Sequence, residues 1–244
     1  MKKIIFWTAL ISVLGLLIGA CAKRDDDTAV TKWTVSCEDT TASGSITIGS
    51  DTASGTYLVL TGNDFYNSRP ATGCNATTDH YGSPTGTQSV LQKKIITSST
   101  SFVDHVSYYS DTACTSRLGY LEKRYSNLSV GDTVSGLDNS SGGRPTSGYR
   151  VTYKPECAKI MADTDAAMVT FNTAYASYFH IYPMTTGTEK AFCETWACQV
   201  QTYYSIWGAG DNGTTFSIYQ AMGGSAGYDP SDWDASSGGM TFQK

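Results

Sequence analysis

The chain has 244 residues, a formal charge of −5 and only 16% charged residues. That length suits one large domain or two small ones. An acidic chain whose basic pairs, Lys93-Lys94 and Lys123-Arg124, stand isolated lacks the basic patch that nucleic-acid binding requires.

The first element in chain order is a leader. Lys2 and Lys3 precede an apolar run from Ile4 to Leu17, interrupted by Thr8, Ser12 and Gly15. This is the layout of a secretory signal peptide. The run falls short of the roughly 20 residues a spanning helix needs. Ile18-Gly19-Ala20-Cys21 then resembles the lipobox of bacterial lipoproteins: a branched apolar residue, two small ones and a cysteine. The resemblance covers residues 1–21 and implies diacylation of the Cys21 sulfur, cleavage after Ala20 and acylation of the new amino group. Stable anchoring takes two or more acyl chains, which a processed Cys21 would carry. Ala22 stands where Asp retains enteric lipoproteins at the inner membrane, so the resemblance implies an outer-membrane address, facing the periplasm or the cell surface. The expected organisation is a signal peptide over 1–20, a lipidated tether over 21–31 and a single β-rich domain over 32–244.

Cleavage removes two of the 17 basic residues and none of the 22 acidic ones, so the mature chain carries −7 (15 against 22). Setting Cys21 aside leaves Cys37, Cys74, Cys114, Cys157, Cys193 and Cys198. In an oxidising compartment six cysteines read as up to three disulfides, with the connectivity open. A local Cys193–Cys198 bridge fits the close spacing. Zinc fits it loosely, but no second close pair and no nearby histidine complete a site.

Abundant Ser, Thr and Gly, 16 tyrosines and only six prolines favour strands and turns over helices. Strands are expected at Lys32–Cys37, Ser45–Ile48, Thr56–Leu60, Ser89–Thr97, Ser101–Tyr109, Ser116–Tyr125, Asp132–Val134 and Tyr149–Tyr153. Residues 63–88 and 135–147 read as loops. One helix is expected over about 164–178. Asp163 or Thr164 would cap it, and Ala167, Met168, Phe171, Ala174, Tyr175 and Tyr178 recur at helical spacing. Strands return at Ala197–Trp207 and Thr214–Tyr219, around the turn signal GAGDNG, and at Met240–Phe242. The fold class is mainly β: an antiparallel barrel or sandwich with one amphipathic helix, stapled by disulfides. Trp33 near the first strand and a helix late in the chain resemble lipocalin-like barrels in overall architecture. Thr31 stands where lipocalins carry Gly, and Thr78-Asp79-His80-Tyr81 differs from their Thr-Asp motif in spacing and place.

No catalytic residue is assigned. Gly223-Gly224-Ser225-Ala226-Gly227 matches G-x-S-x-G, but that motif needs a helix after it, and Tyr-Asp-Pro-Ser-Asp-Trp-Asp follows. The last histidine, His180, precedes the serine. His80, His105 and His180 share no ligand spacing. Asp79-His80 and Asp104-His105 are adjacent, so on a strand each pair points to opposite faces. Asp211, Asp229, Asp232 and Asp234 lack the EF-hand pattern. No metal and no cofactor is expected. Tyr108-Tyr109, Tyr203-Tyr204, Trp196, Trp207 and Trp233 read as core fillers before pocket lining. The N-x-S/T sequons at Asn75, Asn127, Asn139 and Asn212 read as incidental. The expected role is binding or adhesion from the cell envelope. The partners would be the membrane, through the acyl chains, and a small apolar, sugar or protein ligand. An anchored hydrolase without a visible motif, or a purely structural surface antigen, is the alternative.

Overall fold

The hydroxyl- and aromatic-rich segments pair into antiparallel sheets. The computed structural model describes residues 37–59, 74–76, 82–136, 147–179, 183–192, 202–210, 215–220 and 239–244, all within the unit Val35–Lys244. In chain order the strands are β1 (Ser45–Ile48), β2 (Asp51–Ser54), β3 (Thr56–Val59), β4 (Cys74–Ala76), β5 (Ser89–Ile96), β6 (Phe102–Tyr109), β7 (Arg117–Ser135) and β8 (Ser147–Ala162). Helix α1 (Asp165–Phe179) follows, then β9 (Lys190–Phe192), β10 (Tyr203–Gly210), β11 (Thr215–Gln220) and β12 (Gly239–Gln243).

β1 and β2 form a separate hairpin. The main ladder runs β3–β5–β6–β7–β8–β10–β11–β12, and β12 pairs back to β3. Closure holds over only part of the strand length. β10 pairs with Tyr149–Tyr153 of β8, while β9 takes the same edge at Ala158–Ile160. Likewise β3 pairs with Lys93–Ile95 of β5, while β4 takes Ser89–Leu91. The sheet is thus rolled at one end, where its facing halves pack as a sandwich does, and spread at the other.

Both apolar clusters lie on one face, the inner face. At the rolled end Phe102, Tyr125, Tyr153 and Trp207 pack with Tyr57 and Val59, and the hairpin adds Ile46, Ile48 and Ala53. Phe102 stacks on Tyr125 at 4.9 Å and meets Trp207 edge-on at 5.0 Å, the offset geometries that aromatic quadrupoles favour. At the spread end Val90, Tyr108, Leu121, Ile160 and Phe192 receive Ala167 and Phe171 of α1. The helix starts where expected: the Thr164 hydroxyl accepts the Ala167 N–H at 3.2 Å, which makes Thr164 the N-cap. Gly119 lies under it. A Cβ there would stand 2.5 Å from the Met161 carbonyl oxygen and 2.8 Å from the Phe171 ring.

The β7–β8 ladder shifts register at three places, the third between Val130 and Thr133. The β7–β8 register shifts at Arg124/Tyr125, opposite Pro155 and Cys157. Below the shift Val151 and Tyr153 point inward; above it Ala158, Ile160 and Ala162 do. The extra residue, Glu156, swaps odd for even and keeps the apolar side on one face. A second shift lies between Ser126 and Ser129, where Asn127 takes a φ of 54°, a left-handed conformation that Asn tolerates.

Several elements differ from expectation. The strand expected at 116–125 runs on to Ser135 and absorbs Asp132–Val134. The one expected at 149–153 spans Ser147–Ala162. β2, β4 and β9 form where no strand was expected. Cys37 lies outside any strand, and residues 32–36, with Trp33, lie outside the described residues.

Among the described residues two disulfides are formed. Cys37 bridges to Cys157, and Cys74 to Cys114. Cys114 sits at φ 55° in the β6–β7 loop. There the Asp111 carboxylate accepts the N–H groups of Ser116, Thr115 and Ala113 and the Thr115 hydroxyl. Those bonds, the Ser116 N–H foremost, hold its carboxyl down to about 2.

Two outcomes follow from this packing. Gly119→Ala should destabilise the domain by about 1–3 kcal/mol in urea unfolding, since the carbonyl it meets is backbone and cannot swing aside; an unchanged midpoint would refute the helix placement. Carbon-detected NMR titration should place the Asp111 midpoint near 2. Because that value lies below the ordinary carboxylate pKa of about 4, the stabilisation of the loop is complete above pH ~4 and is lost as pH falls through the folded value.

Candidate functional site

Asp104 and His105 are neighbours on β6 and point to opposite faces, as adjacent strand residues must. Each sits in a polar cluster that sequence alone does not reveal.

On the outer face, His105 Nδ1 lies 3.2 Å from Glu122 Oε2 across the β6–β7 pair, and its Nε2 lies 2.8 Å from Ser107 Oγ. The Thr40 hydroxyl donates to the other Glu122 oxygen. Burial would raise the Glu122 carboxyl, but bonds from His105 and Thr40 outweigh it and hold the group below the usual carboxylate range. Tyr120 stacks on His105 at 5.3 Å and donates to Glu189. Burial, and then that bond to a carboxylate, push the Tyr120 phenol upward. Lys159 binds Asp39 at 3.0 Å and Glu189 at 3.4 Å. Burial alone would lower the Lys159 ammonium; the two carboxylates more than offset this and raise it.

Ser107, His105 and Glu122 have the hydrogen-bond order of a hydrolytic triad. The rest of such a site is missing. Ser107 is only 3% exposed. β6 is an interior strand that spends its amides on β5 and β7, so no pair of spare N–H groups flanks the serine to hold an oxyanion. What the cluster does is seat residues 37–43 on the sheet. The Arg124 guanidinium donates to the carbonyls of Glu38 (3.0 Å) and Asp39 (3.3 Å), and Cys37 is bonded to Cys157 beside them.

On the inner face, Lys94 and Asp104 are cross-strand partners and form an ion pair. Lys94 is 4% exposed and its Nζ stands 4.1 Å from the Phe102 ring centroid and 5.5 Å from that of Trp207. Burial pushes the Lys94 ammonium down, against the upward pull of Asp104. The Asp104 side chain is 35% exposed. Its position lies between the aromatic cluster and the helix-covered one: Phe102 precedes it and Tyr108 follows it on the same face of β6. Water therefore reaches the inner face there, through a polar notch with aromatic and aliphatic flanks. Gln92 of β5, Val106 of β6 and Lys123 of β7 belong to the same face beside it.

Of the aromatic residues weighed as pocket lining, Trp207 and Tyr108 are fully buried core. Asn75, in the first sequon, is 5% exposed and points into the sheet. Cys21, His80, His180, Cys193, Cys198, residues 223–227, Asp211, Asp229, Asp232, Asp234, Trp33, Trp196 and Trp233 lie outside the described residues. Among the described residues no group of three His, Cys, Asp or Glu is arranged to hold a metal, and no helix is long and apolar enough to cross a membrane. No protein-family model matches the chain, and no curated protein matches it.

The inner pair predicts an asymmetry. Asp104→Leu leaves a desolvated ammonium without its carboxylate and should cost on the order of 2 kcal/mol or more. Lys94→Met leaves a carboxylate that water already reaches, so it should be neutral or stabilising. Urea unfolding of the two variants reads this directly, and equal losses would contradict the burial difference.

Proposed function

We propose that the protein is an exported, lipid-anchored component of a bacterial cell envelope whose β domain binds a small ligand in the notch at Asp104. The observation that carries the binding role is the exposure of Asp104 on the inner face, between an aromatic cluster and a helix-covered apolar one. Ligand sites combine apolar walls with a few placed polar groups, and this face supplies both. A carboxylate and a buried lysine fix orientation, and Phe102 and Trp207 stiffen the lysine from behind. The hydrolase alternative has less support, because the one triad-like relay lacks oxyanion donors and an accessible serine.

The envelope address draws its support from Cys21 and from the two disulfides, which persist in oxidising compartments. Anchoring at Cys21 would attach the domain through the chain that leads into Cys37, whose sulfur is bonded to Cys157.

Intact-mass spectrometry of protein extracted from envelopes should test both parts at once. Under denaturing conditions the chain should begin at Cys21 with acyl chains attached; a chain beginning at Met1 removes the anchoring reading. Under native conditions it should retain a co-purifying small molecule. Val106→Trp, which fills the notch, should release it. A ligand-free wild-type protein that also shows no thermal shift with sugar and lipid panels removes the binding reading.

A further inference from the structure

The Cys37–Cys157 disulfide does more than close a loop. Cys37 is the first described residue of the chain, and residues 38–44 run from it over the outer face to β1. Its partner lies in the middle of β8, 120 residues away, at the register shift opposite Arg124. β8 is paired on both edges: β7 runs along one, and β10 and β9 share the other. Any pull arriving along the chain from the N-terminal side reaches this sulfur bridge before it reaches residues 38–44 or β1.

Besides the bridge, the segment 38–44 is held by polar contacts and by the close approach of Gly44 to the Ser98 backbone. Asp39 reaches Lys159 from a fully exposed side chain, and exposed ion pairs hold weakly. Arg124 contributes bonds to two carbonyls, Thr40 one to Glu122, and Ser43 one to the Thr97 carbonyl at 2.9 Å. Beyond it, β1 and β2 pair only with each other. Tension on this route would strip the segment and then draw the hairpin out of the aromatic core. Ile46, Ile48 and Ala53 would leave the cluster they share with Trp207.

We infer that the Cys37–Cys157 bridge is a mechanical junction, which passes tension applied on the N-terminal side of Cys37 straight into β8 and keeps residues 38–44 and the β1–β2 hairpin out of the force path. The tether's biological meaning rests on the anchored reading proposed above; the mechanical behaviour does not, and is tested without a membrane. The device also depends on oxidation. In reducing surroundings the same chain would surrender its hairpin first.

Single-molecule pulling on the chain from Cys21 to Lys244, held at those two ends, tests this. The oxidised protein should extend only when the sheet itself fails. The same protein in dithiothreitol, and Cys37→Ser, should show an extra early event at lower force. That event frees residues 37–55 and lengthens the chain by about 60–70 Å at roughly 3.3–3.6 Å per residue. Cys74→Ser combined with Cys114→Ser should leave the early event absent. An early event in the oxidised wild type, or none in Cys37→Ser, overturns the inference. Circular dichroism of Cys37→Ser before pulling confirms that the variant is folded. Anchoring would fail separately, by absence of acyl mass on Cys21.

Discussion

The β7–β8 ladder is the constraint on which the other elements depend. It is the longest pairing in the fold, from Gly119↔Ala162 to Ser135↔Ser147, and every other part of the domain is positioned by one end of it. Its lower part carries β10 and so closes the roll; its upper part carries β9 and the helix-covered cluster. A straight strand of that length would turn its apolar side away from one of the two cores, because side chains alternate strictly. The extra residue at Glu156 resolves this. Pro155 suits the position, since it donates no N–H and is accommodated in sheets at bulges and edges. The bulge also orients Cys157 outward, beside Arg124, where Cys37 can reach it.

The two faces then acquire different chemistry from the same strands. Lys93, His105, Glu122 and Lys159 form one outward row, and Lys94, Asp104 and Lys123 the inward row one residue along. Outward charges are buried only because residues 37–43 lie over them, and they pay their desolvation by bonding to that strap and to each other. Inward, Lys94 is desolvated between aromatic rings and paired with Asp104, which keeps its own access to water. The outer row therefore holds the strap, and the inner row leaves the Asp104 carboxylate in reach of water.

This division explains what could be read from the sequence. Segments with clean alternation, such as Ser45–Ile48 and Ser89–Ile96, were legible as strands, and the Thr164 cap with its Ala167–Met168–Phe171 spacing was legible as a helix. Tyr149–Tyr153 was legible only to the bulge, because beyond Pro155 the apolar residues change parity and the pattern reads as an ending. β2, Asp51–Ser54, and β4, Cys74–Ala76, carry almost no apolar signal; β2 is held by its hairpin and β4 by β5. The clusters were illegible for another reason. H-x-S at 105 and 107 does place two side chains on one face, but Glu122 joins them through the β6–β7 register. That register is fixed by the Asp111 loop, whose hydrogen bonds no periodicity announces. The disulfide partners were hidden likewise, since Cys37 and Cys157 are brought together by the bulge.

The same geometry bears on why a strap and a notch should occur in one small domain. On the anchored, ligand-binding reading proposed above, the point where tension enters and the ligand face would lie on opposite faces of one stiff element. β6 through β8 provide that element. Tension entering at Cys157 is distributed along ladders on both edges of β8, and the aromatic cluster behind Lys94 belongs to strands those ladders join. If it entered instead through the strap, the first core residues lost would be Ile46, Ile48 and Ala53, which pack in the same cluster as Phe102 and Trp207, the rings against Lys94. The bridge on the outer face would thus shield the hairpin residues that pack on the inner aromatic cluster from tension applied at Cys37.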